Sequence, residues 1–429
     1  MAVKATAKQN TGWPPPGGSA WRSKFRPDKE PVMQRLLAYG GFDFPFMLIV
    51  TMLLCAGLVM MFSASYVNAI KHQQGDAYFF IKRQAMFAAA GIAAMLLLSK
   101  INLNVLRFLA IPALVIAFGL LGLVLVYHTD FGEFKRWIPL PGGMTLQPSE
   151  VAKFALILFF AFAMERYQKP NYVIARSSGL VSEKKNRFRR FVLRWWCTGL
   201  YMAVLLAMVV LIFLENHVSG TIIMLGIGGL LIFIGEQRIP LWLYILVAAA
   251  AVLAVLVVLK MPELLPGHAA RRILAFKDPM SDPTGDNWQT RQSLLAVGSG
   301  GWFGRGFGKS IQKHLYLPEP QNDFVFAIVC EELGFIGAGV ILLLFVALVW
   351  RGFMIALHTK ERFGSLLVIG IVLQVGLQTA LNIGVVTAVL PNTGIPLPFF
   401  SYGGTALLML LAEMGIVLAV SRVSREIKR

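Results

Sequence analysis

Charge is scarce in this chain. Asp, Glu, Lys and Arg make up 14% of its 429 residues and hydrophobic residues 57%, whereas a soluble domain carries about 25% charged residues. That balance excludes an ordinary soluble enzyme and reads as a polytopic membrane protein. Acids are scarcer than bases, 22 against 40, which leaves a net charge of +18. Such an excess could mark a nucleic-acid binder, but the cations gather between apolar spans, where loops face anionic lipid, and no nucleic-acid partner is expected. Cysteine is nearly absent. Cys55, Cys197 and Cys330 fall inside apolar stretches without disulfide or metal-ligand spacing, and read as small buried core residues. The first 40 residues lack the apolar core of a signal peptide. With Trp13-Pro-Pro-Pro-Gly-Gly18 and scattered Lys and Arg, residues 1–43 read as a disordered cytoplasmic tail. A nucleotide fingerprint is lacking too: Gly304-Arg-Gly306 has no third glycine and no preceding strand, so its glycines read as tight turns and close packing.

What is abundant is apolar sequence of bilayer-spanning length. Ten runs are read as spans: 44–64, 84–99, 106–127, 148–166, 195–214, 219–235, 239–260, 324–350, 364–390 and 404–421. The expected fold is therefore all-α, about ten transmembrane helices, with one long extracytoplasmic loop over 261–323 between the seventh and eighth. Lys and Arg crowd the stretch before the first span, the loop 166–194 and the tail 422–429. Glu215-Asn-His217 and Pro391 to Tyr402 carry no Lys or Arg. Both termini are thus expected in the cytoplasm. On the outer side ATP is no donor, and an activated donor must arrive on a lipid.

Polar residues in or beside the spans are functional candidates. Glu150 and Lys153, spaced i,i+3 at the start of the fourth span, read either as an ion pair within a capped helix or as part of a site. Lys135 and Arg136 just upstream suit interfacial anchoring or anion binding equally. Of the adjacent Glu331 and Glu332 at least one must face the protein interior, in a structural or a catalytic role. In the long loop, Asp278, Asp282 and Asp286 are interrupted by Pro279, Pro283 and Gly285, which argues against a regular helix. They read as solvated turns, or as a carboxylate held beside Arg271, Arg272 and Lys277 that could deprotonate a hydroxyl next to a departing phosphate.

Four motifs bear a resemblance. Leu390-Pro-Asn-Thr-Gly-Ile-Pro-Leu-Pro-Phe-Phe-Ser-Tyr-Gly-Gly-Thr405, Gln147-Pro-Ser-Glu-Val-Ala-Lys153, the Asp282–Ser293 run and the Leu317–Gly334 run together resemble the SEDS family (shape, elongation, division and sporulation). The segment Gly306–Lys313 with Tyr316–Gln321 looks like its division and sporulation branch, FtsW and SpoVE, rather than the RodA elongation branch. The chain departs from the pattern at Thr405-Ala406, where two serines are usual, and at Gly132–Trp137. The resemblance covers about 44–421 and implies a peptidoglycan glycosyltransferase of the bacterial cell membrane, serving the septum. Its donor is a glycan on undecaprenyl diphosphate and its acceptor the 4-hydroxyl of lipid II. Asp282 maps onto the family's essential outer-face acid, the general base. Arg136, Lys153, Arg272 and Lys309 are the candidate clamp on the diphosphate, with Glu150, Gln292, Ser293, Glu332 and Ser401 as further substrate-binding candidates. A divalent cation, Mg or Mn, could share the clamp, and no organic cofactor is implied. Implied partners are a class B penicillin-binding protein and divisome proteins. A lipid II flippase and a non-catalytic scaffold are the rival readings.

Overall fold

The computed structural model describes residues 41–73, 75–126, 136–140, 144–177, 183–215, 217–235, 276 and 287–426. They form helices α1 (Phe44–His72), α2 (Phe79–Leu98) and α3 (Leu103–Val126), a short hairpin, β1 (Ile138–Leu140) and β2 (Met144–Leu146), then α4 (Pro148–Ser177), α5 (Glu183–Leu214), α6 (Val218–Gly235), α7 (Trp288–Ser299), α8 (Val325–His358), α9 (Arg362–Val386) and α10 (Gly404–Glu426). Eight of these contain a window long and apolar enough to cross a membrane: α1, α2, α3, α5, α6, α8, α9 and α10. The chain is a polytopic, overwhelmingly helical membrane protein. The expected seventh span, 239–260, and most of the loop 261–323 up to residue 286 lie outside the described residues.

The fourth expected span behaves differently from its neighbours. Glu150, Lys153 and Glu165 punctuate α4, yet Ala152, Ala155, Leu156, Ile157, Phe160, Ala161 and Met164 are all fully buried. A helix buried on every face sits at the bundle centre, where protein rather than lipid can answer its charges. On the surrounding helices one face is buried and the other, such as Phe108, Val115 and Ile116 on α3, is exposed as a lipid-facing surface would be. Membrane helices gain little from hydrophobic contact with each other and rely on close approach. α10 lies against α2 closely enough that a Cβ on Gly415 would sit 2.5 Å from the Met95 carbonyl oxygen.

The two ends of the bundle are tied differently. At one end, Asp43 caps α1 by accepting from the Phe46 N–H at 3.1 Å and pairs with Arg351 of α8 at 2.7 Å. There too Arg107 of α3 bridges Glu165 of α4 and Glu361 ahead of α9, at 3.0 and 2.8 Å. At the other end lie the hairpin, the starts of α4 and α6, and the two loops 300–324 and 387–403.

One break needs explaining. α8 bends at Gly334, whose φ of 70° and ψ of −171° are open only to glycine. The break frees two carbonyls and two N–H groups, and the loop after α7 takes all four. Arg305 N–H and Gly306 N–H donate to the carbonyls of Glu331 and Glu332 at 2.9 and 3.0 Å, while the carbonyls of Gly301 and Trp302 accept from Phe335 and Ile336 at 2.8 and 3.1 Å. Irregular backbone within a membrane helix is tolerated where protein re-satisfies it in this way. Four glycines in that loop, Gly301, Gly304, Gly306 and Gly308, have positive φ, as the sequence suggested. The expectation for the cysteines needs correcting: only Cys330 is buried, whereas Cys55 faces the lipid-exposed side of α1.

Candidate functional site

Packing α4 at the centre leaves a cavity of about 690 Å³ above its first turn. Its walls come from far-apart segments: Arg136 and Trp137 before the hairpin, Gln147, Glu150 and Lys153 of α4, His217 and Ser219 at the start of α6, Gln374 and Gln378 of α9, and residues 394–407 leading into α10. Met86, Phe87, Ile223 and Leu410 make part of the lining apolar.

Lys153 is the buried cation of this site. Only 3% of it is exposed, and its Nζ lies 2.8 Å from Glu150 Oε1. The i,i+3 spacing that suggested an ion pair thus forms one, inside the bundle and on the cavity wall. A second bond to Gln378 Oε1 at 3.4 Å joins α4 to α9. Gln378 Nε2 in turn donates to the Pro396 carbonyl at 2.9 Å, and Asn382 donates to the carbonyls of Ile395 and Asp323 at 2.6 and 2.8 Å. From the opposite wall Gln84 of α2 donates to the Ser401 carbonyl and accepts from Gly403 N–H, both at 3.2 Å. Ser401 Oγ accepts from the Leu397 N–H at 2.7 Å. The Leu390–Thr405 signature is therefore a loop, most deeply buried over 397–401, whose backbone groups are met by side-chain amides of neighbouring helices, as a loop inside a membrane bundle requires. Phe399 holds a positive φ of 66° there, with Gly57 of α1 against its carbonyl.

The charge of the site follows from burial. Glu215, in the turn between α5 and α6, is fully buried, and burial pushes its carboxyl up to about 8 against the pull of Arg136. It is an uncharged acid at neutral pH. His217 is held well below the usual imidazole range by burial and then by the charges of Arg136 and Lys153, so it is neutral. Arg83, Arg136 and Lys153 then stand against the Glu150 and Asp323 carboxylates on the cavity wall.

Of the sequence candidates, Arg136, Glu150, Lys153 and Ser401 come together on this wall. Of the other described candidates, Glu332, Ser293, Gln292 and Lys309 do not line it. Glu332 is 1% exposed and belongs to a separate network, receiving Lys313 Nζ and the Ser63 hydroxyl, each at 2.8 Å. Its neighbour Glu331 accepts from the Ser310 hydroxyl and the Ile311 N–H at 2.9 Å. Both acids hold the loop after α7 against the α8 bend, which is a structural arrangement. Ser293 is spent on the Val386 carbonyl at 2.8 Å, Gln292 is buried beside it, and Lys309 is exposed outside the cavity. Asp282 and Arg272 lie outside the described residues. Among the described residues no group of three or more His, Cys, Asp or Glu is placed to hold a metal ion.

Sequence reading missed His217, Ser219, Gln374, Gln378 and Glu413. The signal for part of it was present: Gln374, Gln378 and Asn382 recur every fourth residue in an apolar span, which puts three amides on one helix face. Gln374 Nε2 donates to the buried Glu413 of α10 at 3.0 Å.

The comparisons agree with this picture. The sequence profile of the FtsW, RodA and SpoVE family, described as cell cycle proteins, matches residues 45–426. Stage V sporulation protein E of Bacillus subtilis (strain 168) is 38% identical over 387 residues, covering 89% of this chain and 98% of that protein. A probable peptidoglycan glycosyltransferase FtsW of Geobacter metallireducens is 38% identical over 386 residues, covering 89% and 94%. Among solved structures, a chain of a peptidoglycan synthase complex that coordinates polymerization and crosslinking superposes with a TM-score of 0.67 at 26% identity, over 90% of this chain and 99% of that one. The rod shape determining protein RodA of Thermus thermophilus gives a TM-score of 0.61 at 26% identity, over 89% and 97%. With nearly its whole membrane domain matched by profile, sequence and fold, the chain belongs to the FtsW/RodA/SpoVE family.

Proposed function

We propose that this protein is a peptidoglycan glycosyltransferase that lengthens glycan strands from lipid II, with undecaprenyl diphosphate as the leaving group. The observation that carries the reading is the buried Lys153–Glu150 pair on a cavity wall that is part apolar and part cationic. A lipid-linked diphosphate needs such a lining: hydrocarbon walls for the prenyl chain and positive groups for the charge released at the anomeric carbon. Lys153 and Arg136 supply that charge, and Glu150 keeps Lys153 fixed and compensated while the cavity is free of anion.

Asp282 is the proposed general base. It would take the proton of the acceptor 4-hydroxyl as that oxygen attacks the anomeric carbon from the side opposite the diphosphate, inverting the centre. Diphosphate is already a good leaving group, so no acid catalyst is needed. Arg272 is assigned to the same outer-face loop. Among the described residues no set of three ligands is placed to hold a divalent cation.

Orientation follows from the distribution of Lys and Arg: both termini in the cytoplasm, the cavity mouth and the long loop outside, ten spans in all. By analogy with the peptidoglycan synthase complex, the partner is a penicillin-binding protein of class B, whose transpeptidase crosslinks the strands, and the site of action is the division septum.

Supplying lipid II to the purified full-length protein, with its cognate penicillin-binding protein and a divalent cation, tests this. The expected product is a ladder of glycan strands on a gel. A flippase would instead move labelled lipid II between vesicle leaflets and leave it unpolymerised, and a scaffold would do neither.

A further inference from the structure

Two long helices begin at the same cavity. α4 starts at Pro148 and α6 at Val218, and Ser149 and Ser219, in the first turn of each, line the cavity. Each helix start presents N–H groups with no acceptor inside the helix and carries about half a positive charge, an arrangement suited to phosphate. A helix start alone would not define a site, but the side chains here point the same way. Ser149 and Ser219 are each 1% exposed, and neither hydroxyl has a hydrogen-bond partner among the described residues. His217, 6% exposed, caps α6 through its carbonyl, which accepts from the Thr221 N–H at 3.0 Å, and its Nδ1 is likewise unpartnered. Its ring lies over the first turn of α6, where a Cβ on Gly220 would sit 2.6 Å from Nδ1.

Several buried polar atoms of the described residues lack a partner, but these three gather on one wall, at two helix starts and beside Lys153 and Arg136, and that convergence points to an anion. Two of the three carboxylates nearby do not oppose it. Glu150 is paired with Lys153 at 2.8 Å, and Glu215 is held as the uncharged acid by burial. Asp323 is the remaining carboxylate on the cavity wall. The apolar part of the lining, Met86, Phe87, Leu407 and Leu410, favours an anion attached to a hydrocarbon chain over a free one.

We propose that the first turns of α4 and α6, with the Ser149 and Ser219 hydroxyls and the His217 imidazole, form the subsite that holds the diphosphate of a polyprenyl carrier, Lys153 and Arg136 balancing its charge. This rests on the polymerase reading and adds to it the residues that grip the leaving group.

The test uses the full-length protein in lipid nanodiscs and three probes: undecaprenyl diphosphate, undecaprenol and inorganic diphosphate. Wild type should bind the lipid diphosphate at least about tenfold tighter than either of the others. The double variant Ser149→Ala, Ser219→Ala should lose about tenfold of that affinity, since each hydroxyl donates to a charged acceptor. It should leave undecaprenol binding unchanged. It should also melt no lower than wild type, because removing a buried hydroxyl that has no protein partner does not destabilise. Unchanged affinity for the lipid diphosphate in the double variant would overturn the proposal, and so would inorganic diphosphate bound as tightly as the lipid form. If the binding result holds but wild type makes no glycan, the subsite stands and the polymerase reading falls. If glycan is made but binding ignores both serines, the reverse is true.

Discussion

Lys153 is a cation almost wholly removed from solvent, and its cost is met by Glu150 at 2.8 Å and by Gln378 at 3.4 Å. Removing one partner of such a pair leaves the other uncompensated, at about 3–5 kcal/mol. Lys153→Met should therefore lower the melting temperature more than the double variant Glu150→Gln, Lys153→Met, in which no charge is stranded. A double-mutant cycle by thermal unfolding in detergent measures this directly, and additive effects would mean that the pair is not coupled. Glu215 makes a second prediction at this scale. Its carboxyl titrates near 4.5 in the unfolded chain and near 8 in the folded one. Between those values the folded state holds the extra proton, so stability falls as pH rises from about 4.5 to 8. Glu215→Gln removes that slope. The variant should match wild type near pH 4.5 and melt higher at pH 8, whereas parallel curves would show that Glu215 is not buried as an acid. The Glu150–Lys153 pair was legible in the sequence because both partners lie within one helical turn. The Ser401 and Gln378 contacts were not, since they join positions far apart in the chain, and nothing local marks Glu215 as buried.

At the scale of elements, the α8 bend is the most exacting feature. Its four freed backbone groups are satisfied by residues 301–306 only because the loop can approach to backbone contact at Gly334. A Cβ there would lie 2.2 Å from the Gly304 nitrogen and 2.7 Å from the Phe303 carbonyl carbon, at a φ of 70°. Gly334→Ala should thus combine about 1–3 kcal/mol of backbone strain with displacement of the loop, and lower the melting temperature by several degrees. Gly339→Ala, five residues on in the same helix with nothing within 4 Å of its Cβ, should be neutral or slightly stabilising, since alanine is the better helix former. Equal effects from the two substitutions would contradict the account of the bend. Nine expected spans have a described helix at their positions, eight of them because an apolar run of bilayer length dominates the sequence. The bend and the hairpin β1–β2 escaped notice for a physical reason: a single glycine is tolerated within a long apolar helix, so Gly334 by itself marks no break, and three-residue strands leave no period to read. The expectation that at least one of Glu331 and Glu332 faces the interior is exceeded, since both are buried, and only the fold shows that both are consumed in holding the loop rather than open to the cavity.

At the scale of the whole molecule, the charged groups are sorted by end. Asp43, Arg351, Arg107, Glu165 and Glu361 clasp one end of the bundle, and the cavity with Arg136, Lys153 and the two helix starts occupies the other. Three of the four family motifs named from the sequence, distant in the chain, turn out to be walls of one space: Gln147–Lys153 forms one wall and the Leu390–Thr405 loop another, and the Leu317–Gly334 run contributes Asn322 and Asp323. That convergence is what a catalytic site needs and what a bundle stabilised only by helix packing does not require. The decisive measurement is polymerisation of lipid II by the full-length protein with its cognate penicillin-binding protein, followed as glycan strand length on a gel for wild type and for Asp282→Asn with an unchanged melting temperature. Strands from wild type and none from the variant are the predicted result. Strands of equal length and yield from both would contradict the assignment of the base, and no strands from either would contradict the transferase itself.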